Sequence, residues 1–353
     1  MASDVLISCA PDQKEKDLLF RNAASNVLKF HRLMSAQKDL LAILDSEDIP
    51  VIVLKGAAAA QYYPAPELRQ MGDIDILVPP RDFERAYGLL CRSGYRDHQT
   101  PDDSSRRHVG FTDTKGTEIE LHRYFSLSGK TESEKLLDSM IFDGMEHARV
   151  SVVCGYSVPV LPPLENGLVL LEHIEHHLGS GLGLRQIVDW FYFVRNECDD
   201  AFWNETFGAA AEAVGMKKLA VVLTKMCVKY LGLNGSVTWC DGADDGLVDE
   251  LTEYIMKKGN FGRKIEKNRN VTVSITHHLM SNPADAFAYL TSSGMKHMEE
   301  AGLRPVKAFA WLYQIGRLIH RTLKRRGRFD LVDELRTGMK ETDLLKRLEI
   351  KRL

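Results

Sequence analysis

The hydrophobic period of this chain changes once, at Pro162-Pro163, and that change limits its fold more than any other feature. Between residues 51 and 161 apolar side chains come in short β-branched or alternating runs; beyond Pro163 they recur about every 3.6 residues and continue to do so. A helical pattern over 17–46 comes first, enough for one or two amphipathic helices, and Pro50 stops it. The continuously apolar Val51-Ile52-Val53-Leu54 then predicts a buried strand. Lys55-Gly56 and four alanines follow, so strand, glycine turn and helix N-terminus succeed one another directly. After Pro64-Ala65-Pro66, Asp73-Ile74-Asp75-Ile76-Leu77-Val78 predicts a second strand, closed by Pro79-Pro80 and followed by a helix over 82–93. Residues 108–112 and 117–124 flank Asp113-Thr114-Lys115-Gly116 and predict a β-hairpin, and 150–161 is a last β-like stretch. Helices are expected near 163–178, 184–197, 201–214, 216–231, 246–257, 271–281, 284–300, 304–326 and 329–349. The expected class is α+β: a mixed sheet with flanking helices in residues 1–160, followed by an all-helical domain in 161–353.

Composition supplies exclusions. With 44% hydrophobic and 27% charged residues the chain can bury a core, which argues against disorder, a collagen-like repeat or a coiled-coil rod. Its 46 basic and 49 acidic residues leave a net charge of −3, so there is no global pull toward nucleic acid or an acidic membrane. Cys9, Cys91, Cys154, Cys198, Cys227 and Cys240 contain no CxxC pair, so neither a zinc knuckle nor a redox dithiol is read from them, and reduced thiols are expected. The N-terminal segment lacks a basic start with a long apolar run, and no apolar stretch of about 18 residues occurs; the expectation is a cytoplasmic protein with no membrane partner.

The chemistry is concentrated in carboxylates. In Gly72-Asp73-Ile74-Asp75-Ile76 the two aspartates stand two apart on a strand, so both leave one face while Ile74 and Ile76 leave the other. Carboxylates so spaced, roughly 7 Å apart at Cα, can converge on one or two divalent cations. Oxygen-only ligands suit Mg²⁺ or Mn²⁺, which polarise phosphoryl oxygens and activate an attacking hydroxyl. The competing reading is a strand end whose aspartates point into water and cap nearby loops. On the later strand Glu118, Glu120 and His122 share one face, and a carboxylate from it would join Asp73 and Asp75 if the strands are neighbours; a solvated polar hairpin face is the alternative.

Other clusters carry less. Glu172-His173-Ile174-Glu175-His176-His177 has helical metal-ligand spacing but not the HExxH order, so a partly buried polar face is favoured over zinc. Arg185 and Asp189, four apart on the next helix, can pair with each other or with His176. Gly179-Ser180-Gly181-Leu182-Gly183 joins two helices and follows no strand, so it reads as a helix stop rather than a nucleotide loop. No GxSxG and no Walker loop is present. The basic run over 317–328 is either a solvated helix end or a surface for RNA or acceptor phosphate.

Taken in order, Leu54-Lys55-Gly56, a helix, Tyr62-Tyr63-Pro64, Leu68-Arg69-Gln70-Met71-Gly72-Asp73-Ile74-Asp75-Ile76-Leu77-Val78 and Glu120-Leu121-His122 resemble the uncharacterised nucleotidyltransferase family of the polymerase-β-like nucleotidyltransferase superfamily. The resemblance covers about the first 125 residues well and 162–193 more loosely. It implies a nucleotidyltransferase-type sheet in 1–160 and a helical domain shaping the acceptor side of a cleft. It also implies that Gly56 with Lys55 holds a nucleoside triphosphate, that Asp73 and Asp75 bind two divalent metals, and that Glu120 completes the site as metal ligand or general base. Lys55 and Arg69 are the cations expected on the phosphates, the alternatives being a helix-start lysine in water for Lys55 and a pair with Glu67 for Arg69. His122, His176, Arg185 and Asp189 are the residues expected to line the cleft, a structural role being the alternative. The sequence departs from the superfamily's pattern twice: Ala57 follows Gly56 where a serine is usual, and Glu120 stands where aspartate is more common.

The implied reaction is attack by an acceptor hydroxyl on the α-phosphate of an NTP, with pyrophosphate leaving. A catalytically silent nucleotide-binding or regulatory protein on the same fold is one alternative. A toxin-like enzyme modifying tRNA or protein, hinted at by the basic run alone, is another.

Overall fold

A computed structural model describes residues 12–98, 107–126, 131–179, 181–233, 237–259, 283–324 and 331–350. The N-terminal helical pattern forms one continuous helix, α1 (Gln13–Asp45), whose N-cap Asp12 accepts a hydrogen bond from the Glu15 amide. Pro50 and the β-branched run after it end this pattern in β1 (Ile52–Val53), which leads through Gly56 into the single helical turn α2 (Ala57–Ala60). Next come β2 (Ile74–Leu77), α3 (Phe83–Arg92), β3 (Arg96–Asp97), and the expected hairpin, β4 (His108–Thr112) with β5 (Glu118–His122). Residues 150–161 prove to be two strands, β6 (Arg149–Val153) and β7 (Tyr156–Val160), reversed at Cys154-Gly155, both at positive φ.

The sheet is mixed, in the order β1-β2-β5-β4-β3, with β2 and β5 parallel and the other pairs antiparallel. In the parallel pair Ile74 aligns with Ile119, Asp75 with Glu120 and Ile76 with Leu121. This register separates the faces. Val53, Ile74, Ile76, Phe111, Ile119 and Leu121 enter a buried core with Phe30, Leu33 and Leu40 of α1 and Phe83, Ala86 and Leu90 of α3. Each large apolar side chain so buried stabilises the fold by about 1.5–3 kcal/mol. The opposite face carries the carboxylates.

One helix had no counterpart in the sequence reading. It is α4 (Glu132–Glu146), which opens with a capping box between Thr131 and Glu134. Its buried face includes Glu134 and Asp138, and the Asp138 carboxylate accepts from the amides of Phe125 and Ser126 and from the Ser126 hydroxyl. Polar residues at core positions are what blurred its apolar period.

Beyond Pro163 the described structure is helical: α5 (Pro163–Leu178), α6 (Leu184–Glu197), α7 (Asp200–Phe202), a π turn (Trp203–Phe207), α8 (Gly208–Ala213), α9 (Lys217–Leu231), α10 (Asp245–Lys258), α11 (Pro283–Glu300), α12 (Lys307–Lys324) and α13 (Leu331–Arg347). The helix expected over 271–281 and the basic residues over 325–328 lie outside the described residues. The fold is thus α+β, with a helical C-terminal region. The chain divides into two compact units, one of residues 1–174 with 185–242 and one of 175–184 with 243–353. In the first, Trp190, Phe193 and Phe207 form an aromatic core for the helices that follow the sheet. In the second, buried Lys258 donates to the Tyr254 hydroxyl, the Gly179 carbonyl and Glu341. No described helix is long and apolar enough to cross a membrane.

Candidate active site on the polar face of the sheet

The site starts at the turn between β1 and α2. Gly56 has φ 58° and ψ −107°, a conformation that L side chains rarely adopt, and a Cβ there would come within 3.1 Å of Met71 Cε. The turn sets Lys55 beside β2, its Nζ 2.7 Å from Asp75 Oδ1. The backbone agrees with this placement: the Leu54 amide donates to the Asp75 carbonyl.

Asp75 and Glu120 are aligned neighbours on parallel strands, and Asp73 sits just before β2. One carboxylate oxygen from each of Asp73, Asp75 and Glu120 lies within 4.8 Å of the other two. His122, also facing this side, is 1% exposed, with Nε2 3.2 Å from Asp75 Oδ1 and 3.3 Å from Glu120 Oε2. Burial pushes the Asp75 carboxyl up, but Lys55 and His122 outweigh it and hold the group well below the usual carboxylate range. Asp73 shifts the other way: the Asp75 charge, then burial, raise it, with Lys55 opposing and Glu120 adding to the rise. For Lys55 burial is outweighed by Asp75, with Asp73 and Glu120 adding to the same effect, so its ammonium pKa is raised.

The neighbouring strand adds a residue that the sequence reading passed over. β4 pairs His108 with His122, their ring centroids 5.0 Å apart, and His108 Nε2 lies 3.6 Å from Glu120 Oε1. Burial, then His122, lower the His108 pKa. The signal was present: a turn over 113–116 fixes the hairpin register and so puts 108 opposite 122. Glu118 shares the strand but is exposed, meeting His98 and Thr112 instead of the cluster.

The loop that delivers Asp73 is held by α6. Arg69 is 5% exposed and forms a bidentate pair with Asp189, Nε to Oδ1 and one terminal nitrogen to Oδ2, both 2.7 Å. The Tyr63 hydroxyl, whose pKa is raised by burial and then by the Asp189 charge, donates to Oδ1 at 2.6 Å. Arg69 therefore pairs with Asp189, and Glu67 instead accepts from Cys154. Arg185 pairs with neither Asp189 nor His176; it donates to the Gln70 carbonyl at 3.2 Å, and among the described residues it forms no ion pair. Its pKa is held down by burial and then by neighbouring Arg69, and it is within electrostatic reach of Asp73. His176 belongs to the second unit, where it is exposed and its ring lies 5.1 Å from that of His177.

The sequence pattern of the uncharacterised nucleotidyltransferase family matches residues 5–232, which contain every group of this sheet-face cluster. The chain belongs to that family. A search of solved structures found similarity to an antigenic nucleotidyltransferase-like protein from Paracoccidioides brasiliensis, 15% identical, covering 58% of this chain and 94% of that chain with a TM-score of 0.38. So distant a likeness adds nothing to the assignment, which rests on the family match. No curated protein matches this chain. For this nucleotidyltransferase-family chain, the structure brings Lys55, Asp73, Asp75, Glu120 and His122 together and adds His108, while Arg69 and Asp189 satisfy each other next to them.

Proposed function

We propose that this chain transfers a nucleoside monophosphate from an NTP to a hydroxyl acceptor, releasing pyrophosphate, with a divalent cation held by Asp73, Asp75 and Glu120. The observation that carries the reading is the convergence of three carboxylate oxygens within 4.8 Å of one another on one sheet face. An all-oxygen donor set of that span fits Mg²⁺ or Mn²⁺. Bound there, the cation supplies polarisation of the phosphoryl oxygens and a lower pKa for the acceptor hydroxyl. The chain's residues do the rest. Asp73 and Asp75 anchor the charge, and Glu120 stands on the adjacent strand to accept the acceptor's proton or complete the ligand set. The acceptor oxygen forms its bond to the α-phosphorus as the bond to the bridging oxygen breaks, and pyrophosphate carries away the electron pair. Lys55, resting on Asp75, is positioned to turn its ammonium to the triphosphate. Because Arg69 is closed on Asp189, its part is to hold the loop before Asp73, and Arg185 is the guanidinium left for a phosphate.

The test supplies purified protein with Mg²⁺ or Mn²⁺, each of the four α-labelled NTPs and fractionated cell extract. Transfer of label with matching pyrophosphate, lost in Asp73→Asn and Asp75→Asn, supports the reading. A second reading, nucleotide binding without turnover, is favoured by Ala57, fully buried where the wider superfamily usually has a hydroxyl on the phosphate. It predicts metal-dependent NTP binding with no pyrophosphate from any fraction. Label arriving on RNA or protein rather than a small molecule would identify a macromolecular acceptor.

A further inference from the structure

The imidazoles of His108 and His122 flank Glu120 in a way that the oxygen-only site does not require. We propose that His108, Glu120 and His122 form a second binding site, sharing Glu120 with the oxygen set, for a divalent transition metal of the Zn²⁺ class, an inference that stands whether or not the chain transfers nucleotides.

Glu120 faces both rings, Oε1 3.6 Å from His108 Nε2 and Oε2 3.3 Å from His122 Nε2, and one ligand atom from each of the three residues lies within 4.8 Å of the other two. Ligands about 2.1 Å from a tetrahedral zinc stand roughly 3.4 Å from one another, so the three side chains have to close by up to about 1.4 Å to hold one ion. The scaffold is rigid: the histidines are cross-strand partners on β4 and β5, and Glu120 is two residues from His122 on the same strand face. Opposite Glu120 the partner strand has Gly110, which adds no side chain over the carboxylate, and a Cβ there would meet nothing closer than 3.9 Å among the described residues. Both rings turn Nε2 to the Glu120 carboxylate, that of His122 also lying 3.2 Å from Asp75 Oδ1, while among the described residues neither Nδ1 has a hydrogen-bond partner. His122 is buried, whereas His108 and Glu120 are each about one-third exposed, leaving a path for an ion and an open coordination position. Two imidazoles and one carboxylate select Zn²⁺ or Co²⁺ over Mg²⁺, which favours oxygen. Glu120 is shared with Asp73 and Asp75, so an ion held by the histidines draws on the carboxylate that the oxygen set also uses.

The test titrates the full chain with Co²⁺, followed by visible absorption, and then with Zn²⁺ against a chromophoric chelator. Wild type is expected to take up Co²⁺ with the bands of a low-coordinate, imidazole-bound ion and to release it to Zn²⁺. His108→Ala and His108→Gln should each weaken binding at least about tenfold while circular dichroism and Tm stay near wild type. Asp73→Asn should keep the bands. Unchanged affinity in both folded His108 variants, bands abolished by Asp73→Asn, or no binding in wild type would each overturn the proposal. Co²⁺ binding with no nucleotide turnover would leave the triad standing and remove only the proposed reaction.

Discussion

At the scale of single residues, the site is a balance of like and unlike charge. Asp75 is depressed in the folded chain, because Lys55 and His122 outweigh its burial, so it contributes stability above its unfolded pKa of about 3.9, lost as pH falls through the folded value. Asp73 is raised, chiefly by the Asp75 charge, so the sign reverses: its ionisation lowers stability as pH rises from about 3.9 through the folded value. Asp73→Asn is therefore expected to raise the Tm of divalent-free protein at pH 7 and to lose that advantage below about pH 4, where wild-type Asp73 is protonated as well. Thermal melts in EDTA at the two pH values decide this, and an unchanged or lower Tm at pH 7 would contradict it. Gly56 tests the turn. With φ 58°, ψ −107° and Met71 Cε 3.1 Å from the position of an added Cβ, Gly56→Ala should cost about 1–3 kcal/mol in urea unfolding. The Asp-x-Asp pair and the glycine turn were readable in the sequence because each obeys a local spacing rule, whereas strand alternation left Glu118 and Glu120 open and the family resemblance pointed to Glu120. The Arg69–Asp189 pair was not, since 120 residues separate the partners and nothing local encodes their contact.

At the scale of elements, two devices hold the site, the parallel pairing of β2 with β5 and the grip of α6 on the loop ahead of Asp73. Alternating apolar residues made both strands legible, and the turn at 113–116 made the hairpin legible. That β5 lies next to β2, parallel, is a long-range choice that periodicity does not carry, and α4 escaped because it buries Glu134 and Asp138. The grip yields a prediction. Asp189→Ala leaves Arg69 buried without its counter-charge and should destabilise the chain by about 3–5 kcal/mol, whereas Glu67→Ala, whose carboxylate takes no part in that pair, should have little effect. Equal effects of the two in chemical denaturation would show that the pair does not hold the loop.

At the scale of the whole molecule, the family match spans residues 5–232 and so takes in the sheet and the helices α5 to α9, while the second compact unit continues from residue 243. The near-neutral overall charge concealed a local excess of carboxylates on one face of the sheet, and the site's relation to charge is set there. Whether this face holds a divalent cation for a nucleoside triphosphate, as proposed, is decided by calorimetric titration of the full chain with a non-hydrolysable NTP, with Mn²⁺ or with EDTA, in wild type and in Asp75→Asn. Wild type should bind the NTP with Mn²⁺, and the affinity should fall at least about tenfold, roughly 1.4 kcal/mol, in EDTA and in the variant. Equal affinity in all of these conditions would contradict the proposal.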